Sequence, residues 1–178
     1  MADSPAFNKL VEIEKRSRQF AVDLPQQVAA KTMWSGVGFS LAGNRFVVPM
    51  REIAEISHVP RFTQVPGVQS WVKGVANVRG RLMPVLDLMS FLDRVSDYPL
   101  KRRRLLVIER GELYSGLVVD AVLGMQHFSV DSFVNELPGS FQVTRPYLKG
   151  GYLKDDEVWA IFSLHELAQD PSFMNVAS

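Results

Sequence analysis

Cysteine is absent from the chain, which excludes disulfides, thiolate metal sites, cysteine nucleophiles and thiol redox switching. Histidine is scarce: His58, His127 and His165 stand far apart, no HExxH-type spacing exists, and neither a metal nor a cofactor is expected. Neither sign of charge dominates. Twenty Lys and Arg face 19 Asp and Glu for a net charge of +1, so no overall field draws the protein toward nucleic acid or an anionic membrane. Long apolar runs are missing as well, since the stretch from Leu113 to Met125 is broken by Asp120 and the first twenty residues carry acids and bases throughout. A cytoplasmic protein without membrane insertion is expected. What is present is an ordinary apolar supply, 47% of 178 residues, enough for one large domain or two small ones.

Residues 4–22 read as a helix, with Ser4 as cap, Pro5 at the first position, and Phe7, Leu10 and Val11 at helical spacing. Leu24-Pro25 ends it, and Gln26 to Lys31 have the composition of a further short turn. From Val37 the texture becomes that of short strands: a hairpin around Ala42-Gly43-Asn44, a second around Arg79-Gly80, a third around Arg110-Gly111, and a last one ending at Leu164. The order repeats. Trp71–Leu88 lies without gaps on Tyr147–Leu164, an offset of 76 residues, with Lys73/Lys149, Gly74/Gly150 and Leu88/Leu164 identical. Duplication of such a unit predicts two small antiparallel barrels, in which closure removes exposed edges. The expected organisation is a helical extension over 1–34, a first barrel over 35–99, and a second over 100–178 with a short C-terminal helix or tail.

Enzymatic constellations are weak. Ser163-Leu-His165 offers a Ser and a His, but strand positions of one parity point in parallel rather than at each other, and a lone His is more simply a satisfied surface residue. Asp87 and Asp120 end apolar strands, where an acid usually serves a turn or caps the next element. Gly36-Val-Gly38 lacks the Lys-Ser/Thr and the helix that a phosphate loop needs. No catalytic residue is assigned. The Lys101-Arg-Arg-Arg104 run reads as a solvated linker between barrels, or, in a reading from another class, as the phosphate-contacting patch of a small-barrel RNA-binding protein. Asn77-Val78-Arg79-Gly80 is more informative: Gly80 and Asn77 suit backbone needs of a turn, but nothing in the turn requires Arg79, which projects outward as interface anchors do.

Gly74-Val-Ala-Asn-Val-Arg-Gly-Arg-Leu-Met-Pro-Val-Leu-Asp-Leu88 resembles the signature of the CheW-like adaptor family, a GVxN-hydrophobic-RG turn followed by a hydrophobic-PV-hydrophobic-DL strand. Val48-Pro49, Ile53-x-Glu55-Ile56, Val65-Pro66, Arg104–Ile108, Gly116–Val122 and Leu148-x-Gly150 fall in family order, so that the resemblance spans about residues 36 to 168. Further details are similar to the adaptors of type IV pilus chemosensory systems: Trp34-x-Gly-Val-Gly-Phe39, Pro66-Gly-Val-x-x-Trp71, Ala76–Arg81, Gly124–Phe128 and Trp159-x-x-Phe-Ser163. The resemblance implies a mainly β fold of two SH3-like five-stranded antiparallel barrels. It also implies a non-catalytic scaffold that couples the cytoplasmic tip of a methyl-accepting chemoreceptor to the regulatory domain of a CheA-type histidine kinase, at membrane-bound receptor arrays. Twitching motility is the implied output, with flagellar chemotaxis the alternative. Matched onto this chain, the receptor contact falls on Asn77, Val78, Arg79 and Gly80, and the kinase contact on Ile53, Glu55 and Ile56. Residues 1–34 and the acidic Asp155-Asp-Glu157 turn depart from shorter family members.

Overall fold

The computed structural model describes residues 5–20, 32–110 and 113–178. The chain divides into two compact units, Met1–Lys31 and Thr32–Ser178. In the first, helix α1 runs over Pro5–Phe20, steadied by an exposed i,i+4 ion pair between Glu12 and Arg16, with Leu10 and Ile13 turned to solvent. Ser4, Leu24-Pro25 and the expected turn at 26–31 lie outside the described residues. The β texture begins two residues before the expected boundary, at Met33.

The second unit is built from two sheets. Among the described residues eleven strands follow one another as β1 (Met33–Leu41), β2 (Asn44–Pro49), β3 (Ile53–His58), β4 (Val72–Val78), β5 (Arg81–Asp87), β6 (Arg104–Arg110), β7 (Leu113–Val119), β8 (Ala121–Ser129), β9 (Phe133–Val134), β10 (Leu148–Lys154) and β11 (Glu157–Phe162). Short helices α2 (Leu88–Phe91), α3 (Leu164–Gln169) and α4 (Pro171–Met174) complete it. One sheet has the order β8-β1-β2-β11-β10-β9 and the other β3-β6-β7-β5-β4. This is the mainly β, SH3-like fold expected from the sequence, but as two sheets that are not closed into the expected five-stranded antiparallel barrels. One sheet has six strands, and each contains a parallel pair, β2 with β11 and β5 with β7.

Three hairpin turns are two-residue turns with both central residues at positive φ: Ala42-Gly43, Arg79-Gly80 and Asp155-Asp156. That is the type I′ geometry whose twist matches the flanking strands. The Arg110-Gly111 turn falls partly outside the described residues.

The 76-residue repeat is structural. β4, β5 and α2 are followed 76 residues later by β10, β11 and α3, and the backbone bond from Asp87 N–H to Trp71 C=O recurs from Ser163 N–H to Tyr147 C=O. Curling recurs too. Thr63, just beyond β3, bridges Val75 of β4, while β9, just beyond β8, pairs with β10 at Val134↔Gly151. In each sheet a single stretch of chain thus supplies both ends, so the sheets wrap round without forming a fully hydrogen-bonded ring. Gly74 stands at this join, with φ of +144°, where a Cβ would lie 2.1 Å from Thr63 C=O oxygen. The join requires glycine.

The sheets do not follow the expected division at residues 99 and 100. Hairpin β1–β2 heads the first repeat but pairs with β8 and β11 of the second, and hairpin β6–β7 heads the second but pairs with β3 and β5 of the first. The two halves have exchanged hairpins. Between β7 and β8 lies only Asp120, and one residue cannot reverse the chain as a two-residue turn does, so β8 must continue into the neighbouring sheet. Between β2 and β3 a 3₁₀ turn, Met50–Glu52, redirects the chain in the same way.

Exchange explains the core. Leu105 and Val107 point into the five-stranded sheet with Met83, Val85 and Val118, whereas Leu106 and Ile108 point into the contact between sheets with Phe39, Phe46 and Phe162. A third cluster of Val47, Phe128, Tyr152 and Trp159 fills the six-stranded sheet. Strands covered on both faces need the unbroken apolar runs seen at Phe46–Val48 and Leu105–Ile108.

Candidate partner-binding surface

The turn between β4 and β5 is held by its own residues. Arg79 and Gly80 take φ of +52° and +82°, and the Gly80 N–H donates to Asn77 Oδ1 at 2.8 Å. Asn77 therefore acts inside the turn, as an Asx cap. Val78 is half-buried and packs on the core of the five-stranded sheet. Arg79 is the residue left free to project: its side chain is 78% exposed, and its Nε donates to Glu55 Oε2 at 3.0 Å. Arg81, next in the hairpin, is engaged within the fold by Glu109 at 2.9 Å and by the Tyr114 ring, 3.7 Å from the guanidinium carbon.

Glu55 comes from β3, at the other end of the sheet order, and curling brings it to Arg79. Ile53 is half-buried against the main core, whereas Ile56, beyond the register shift in β3, is 43% exposed. Of the residues matched separately to two partners, Arg79 and Glu55 are thus in direct contact. Leu82, opposite Asn77 across the hairpin, is an exposed apolar side chain beside the turn that sequence reasoning missed. Within the unbroken apolar run Leu82–Leu86 a single exposed leucine carries no sequence signal of its own.

The basic run is not a uniform solvated linker. Lys101 and Arg102 are exposed, but Arg103 is 4% exposed and makes a two-pronged contact with Asp87, at 2.9 and 2.7 Å, with its Nε 3.5 Å from Asp120. Asp87 also accepts the N–H groups of Met89 and Ser90 and so caps α2. Asp120 accepts from Ala42 N–H at 2.9 Å and from the Ser96 hydroxyl. Two acids expected at strand ends are therefore joined by an arginine expected in solvent. Burial pushes the Asp87 carboxyl up, but the Arg103 guanidinium, Lys73 and the Ser90 N–H outweigh it and hold the group below the ordinary carboxylate value. The basic patch of the RNA-binding reading loses its third residue to this network.

Other candidates resolve into local structure. Ser163 caps α3 by accepting Glu166 N–H at 3.3 Å, with His165 on the helix that follows. His127 forms an exposed cross-strand pair with Ser35, 2.7 Å from its Nδ1. Gly36 and Gly38 lie within β1, not ahead of a helix. Among the described residues no His, Asp or Glu cluster suits a metal ion, and no helix is long and apolar enough to cross a membrane.

The model of the CheW-like domain matches residues 35–172. With its two curled sheets and outward hairpin turn, the chain belongs to the CheW-like family of scaffold proteins, which are adaptors rather than enzymes. Among individual proteins it is 47% identical over 171 residues to Protein PilI of Pseudomonas aeruginosa, covering 96% of both chains. It is 34% identical over 92 residues to Protein FrzA of Myxococcus xanthus, 52% of this chain and 58% of that one. The crystal structure of the scaffolding protein TtCheW from Thermoanaerobacter tengcongensis superposes with a TM-score of 0.68 at 24% identity, over 79% of this chain and 96% of that one, a likeness of fold.

Proposed function

We propose that this chain couples the cytoplasmic tip of a methyl-accepting chemoreceptor to the regulatory domain of a CheA-type histidine kinase in the chemosensory system controlling type IV pilus twitching motility. The observation that carries the pathway is the 47% identity to Protein PilI over 96% of the chain, which reaches beyond the 35–172 span of the family model into the N-terminal extension. Receptor contact is assigned to the turn of Asn77, Val78, Arg79 and Gly80, with Arg79 as the anchor, and kinase contact to Ile53, Glu55 and Ile56. Support for the anchor is its exposure in a turn whose other members are occupied internally. The protein works without a cofactor, at arrays on the inner face of the membrane, by protein contacts alone.

Co-purification of the tagged chain from its native cell tests this reading. A CheA-type kinase encoded with pilus genes, and a methyl-accepting receptor, are expected to be retained together at raised salt. Retention of the flagellar kinase instead would transfer the chain to chemotaxis proper, and retention of neither would reject the coupling role.

A further inference from the structure

Cations gather at the end of the five-stranded sheet opposite the Arg79 turn. The strand directions place that turn and Glu55 at one end, and the last residue of β3 with the first residues of β4 and β6 at the other. At this far end His58 pairs with Arg104 across β3 and β6, Lys101 and Arg102 stand in the 3₁₀ turn leading into β6, and Arg61 lies just beyond β3. Arg61, Lys101 and Arg102 are exposed, and Arg104 donates only to the backbone carbonyls of Arg102 and Arg103. None of these four has an acidic partner among the described residues, whereas Arg45, Arg79, Arg81 and Lys149 each have one. The sequence accounts for the imbalance. No Asp or Glu stands between Glu55 and Asp87, and none between Asp97 and Glu109. Like charges left together repel in the free protein, and an anionic partner relieves that repulsion.

Beside the cations the fold leaves a cleft. A cavity of about 560 Å³ lies between the stretch 62–73 and the turn at 100–103, with apolar lining from Phe62, Val65 and Leu100. That volume is in the range of ligand sites. Phe62 and Leu100 pack on the same core cluster and bring their sequence neighbours, Arg61 and Lys101, to the same cleft. Asp87 is the one acid in the lining, and Arg103 and Lys73 already engage it. An apolar recess flanked by unpaired cations is the result.

We propose that this cleft docks an extended acidic segment of a partner protein, with one aliphatic side chain entering between Phe62 and Leu100 and carboxylates meeting Arg61, Lys101, Arg102 and Arg104. Four cations on two stretches of chain are more than one small carboxylate engages. Phe62 is half-buried in the sheet and offers no free ring for a base to stack on, which favours a peptide over RNA. The proposal does not depend on the adaptor role, and the cleft is remote along the strands from Arg79.

The test uses the full chain and a fluorescein-labelled peptide of glutamates around one leucine. Affinity is expected to fall at least about tenfold in Arg61→Glu with Lys101→Glu, and at least about threefold when the peptide carries Ala in place of Leu. Arg94→Glu with Arg145→Glu, an equal change of charge at exposed positions outside the cleft, should leave affinity within about twofold. A peptide with Gln in place of every Glu should not bind the unaltered protein, a result that does not rely on any variant folding. No binding of the acidic peptide, equal loss in the two double variants, or indifference to the leucine would each overturn the proposal. So would capture of a single-stranded RNA in preference to the peptide.

Discussion

At Arg103, removal of one side chain takes the guanidinium from two carboxylates that have left water, Asp87 and Asp120, each about 95% buried at the side chain. Arg103→Met is therefore expected to cost about 3–5 kcal/mol, read as a lowered urea midpoint at unchanged slope. Asp87 adds a pH dependence. Its folded-state pKa lies below its unfolded value, so its contribution is complete above the unfolded value and is lost as pH falls through the lower one. Asp87→Asn should flatten this part of the acid limb of an unfolding titration, and an unchanged acid limb would contradict the ion pair. Arg79 is the opposite case. Being 78% exposed, its pair with Glu55 is worth about 0–1 kcal/mol at most. Arg79→Glu should move stability by no more than about 1 kcal/mol while lowering affinity for the receptor's cytoplasmic hairpin at least tenfold. Because the variant sets two carboxylates together, the control is Arg79→Glu with Glu55→Arg. It should recover stability and leave receptor binding impaired; recovered binding would make the pair, not Arg79, the feature that matters.

Among the elements, the join between Thr63 and β4 is the one that tolerates least. Gly74→Ala would force backbone to retreat from a 2.1 Å approach and adopt a φ that only glycine takes freely, so a loss of more than about 2 kcal/mol is expected. Hydrogen exchange should localise the damage to Val75 and Thr63, whose mutual bonds at 2.8 and 2.9 Å make the join. The repeat makes this legible after the fact: Lys73-Gly74 and Lys149-Gly150 are identical because each glycine stands at a join. Helix α1 belongs to a unit of its own, and the family model begins at residue 35, so removing residues 1–31 should leave cooperative unfolding of the remainder intact. Loss of a single sharp transition on that deletion would show that the extension belongs to the fold of the sheets.

For the molecule as a whole, the balance of charge and the burial of Arg103 leave a small cationic footprint, and no binding to a single-stranded RNA probe is expected at physiological salt. Retention of the probe with a steep salt dependence would revive the RNA-binding reading. The sequence by itself determined the turns, the apolar strands, the repeat and the outward Arg79, because each depends on neighbours within a few residues or on an offset visible in one dimension. It also carried the family signature, concentrated in Gly74–Leu88, where turn chemistry and strand pattern coincide. Only the tertiary structure decided which hairpin each half would pair with. The hairpins β1–β2 and β6–β7 are both apolar two-strand units, so pairing within a half and pairing across halves look alike along the chain, and the choice rests on the single residue between β7 and β8 and the short turn between β2 and β3. For the same reason Arg103 looked like its neighbours: four adjacent cations have one composition, and the exchange of hairpins is what encloses the third of them between Asp87 and Asp120. Arg79 and Glu55, 24 positions apart, meet because the curled sheet brings its ends together, a closure in three dimensions that no local pattern encodes.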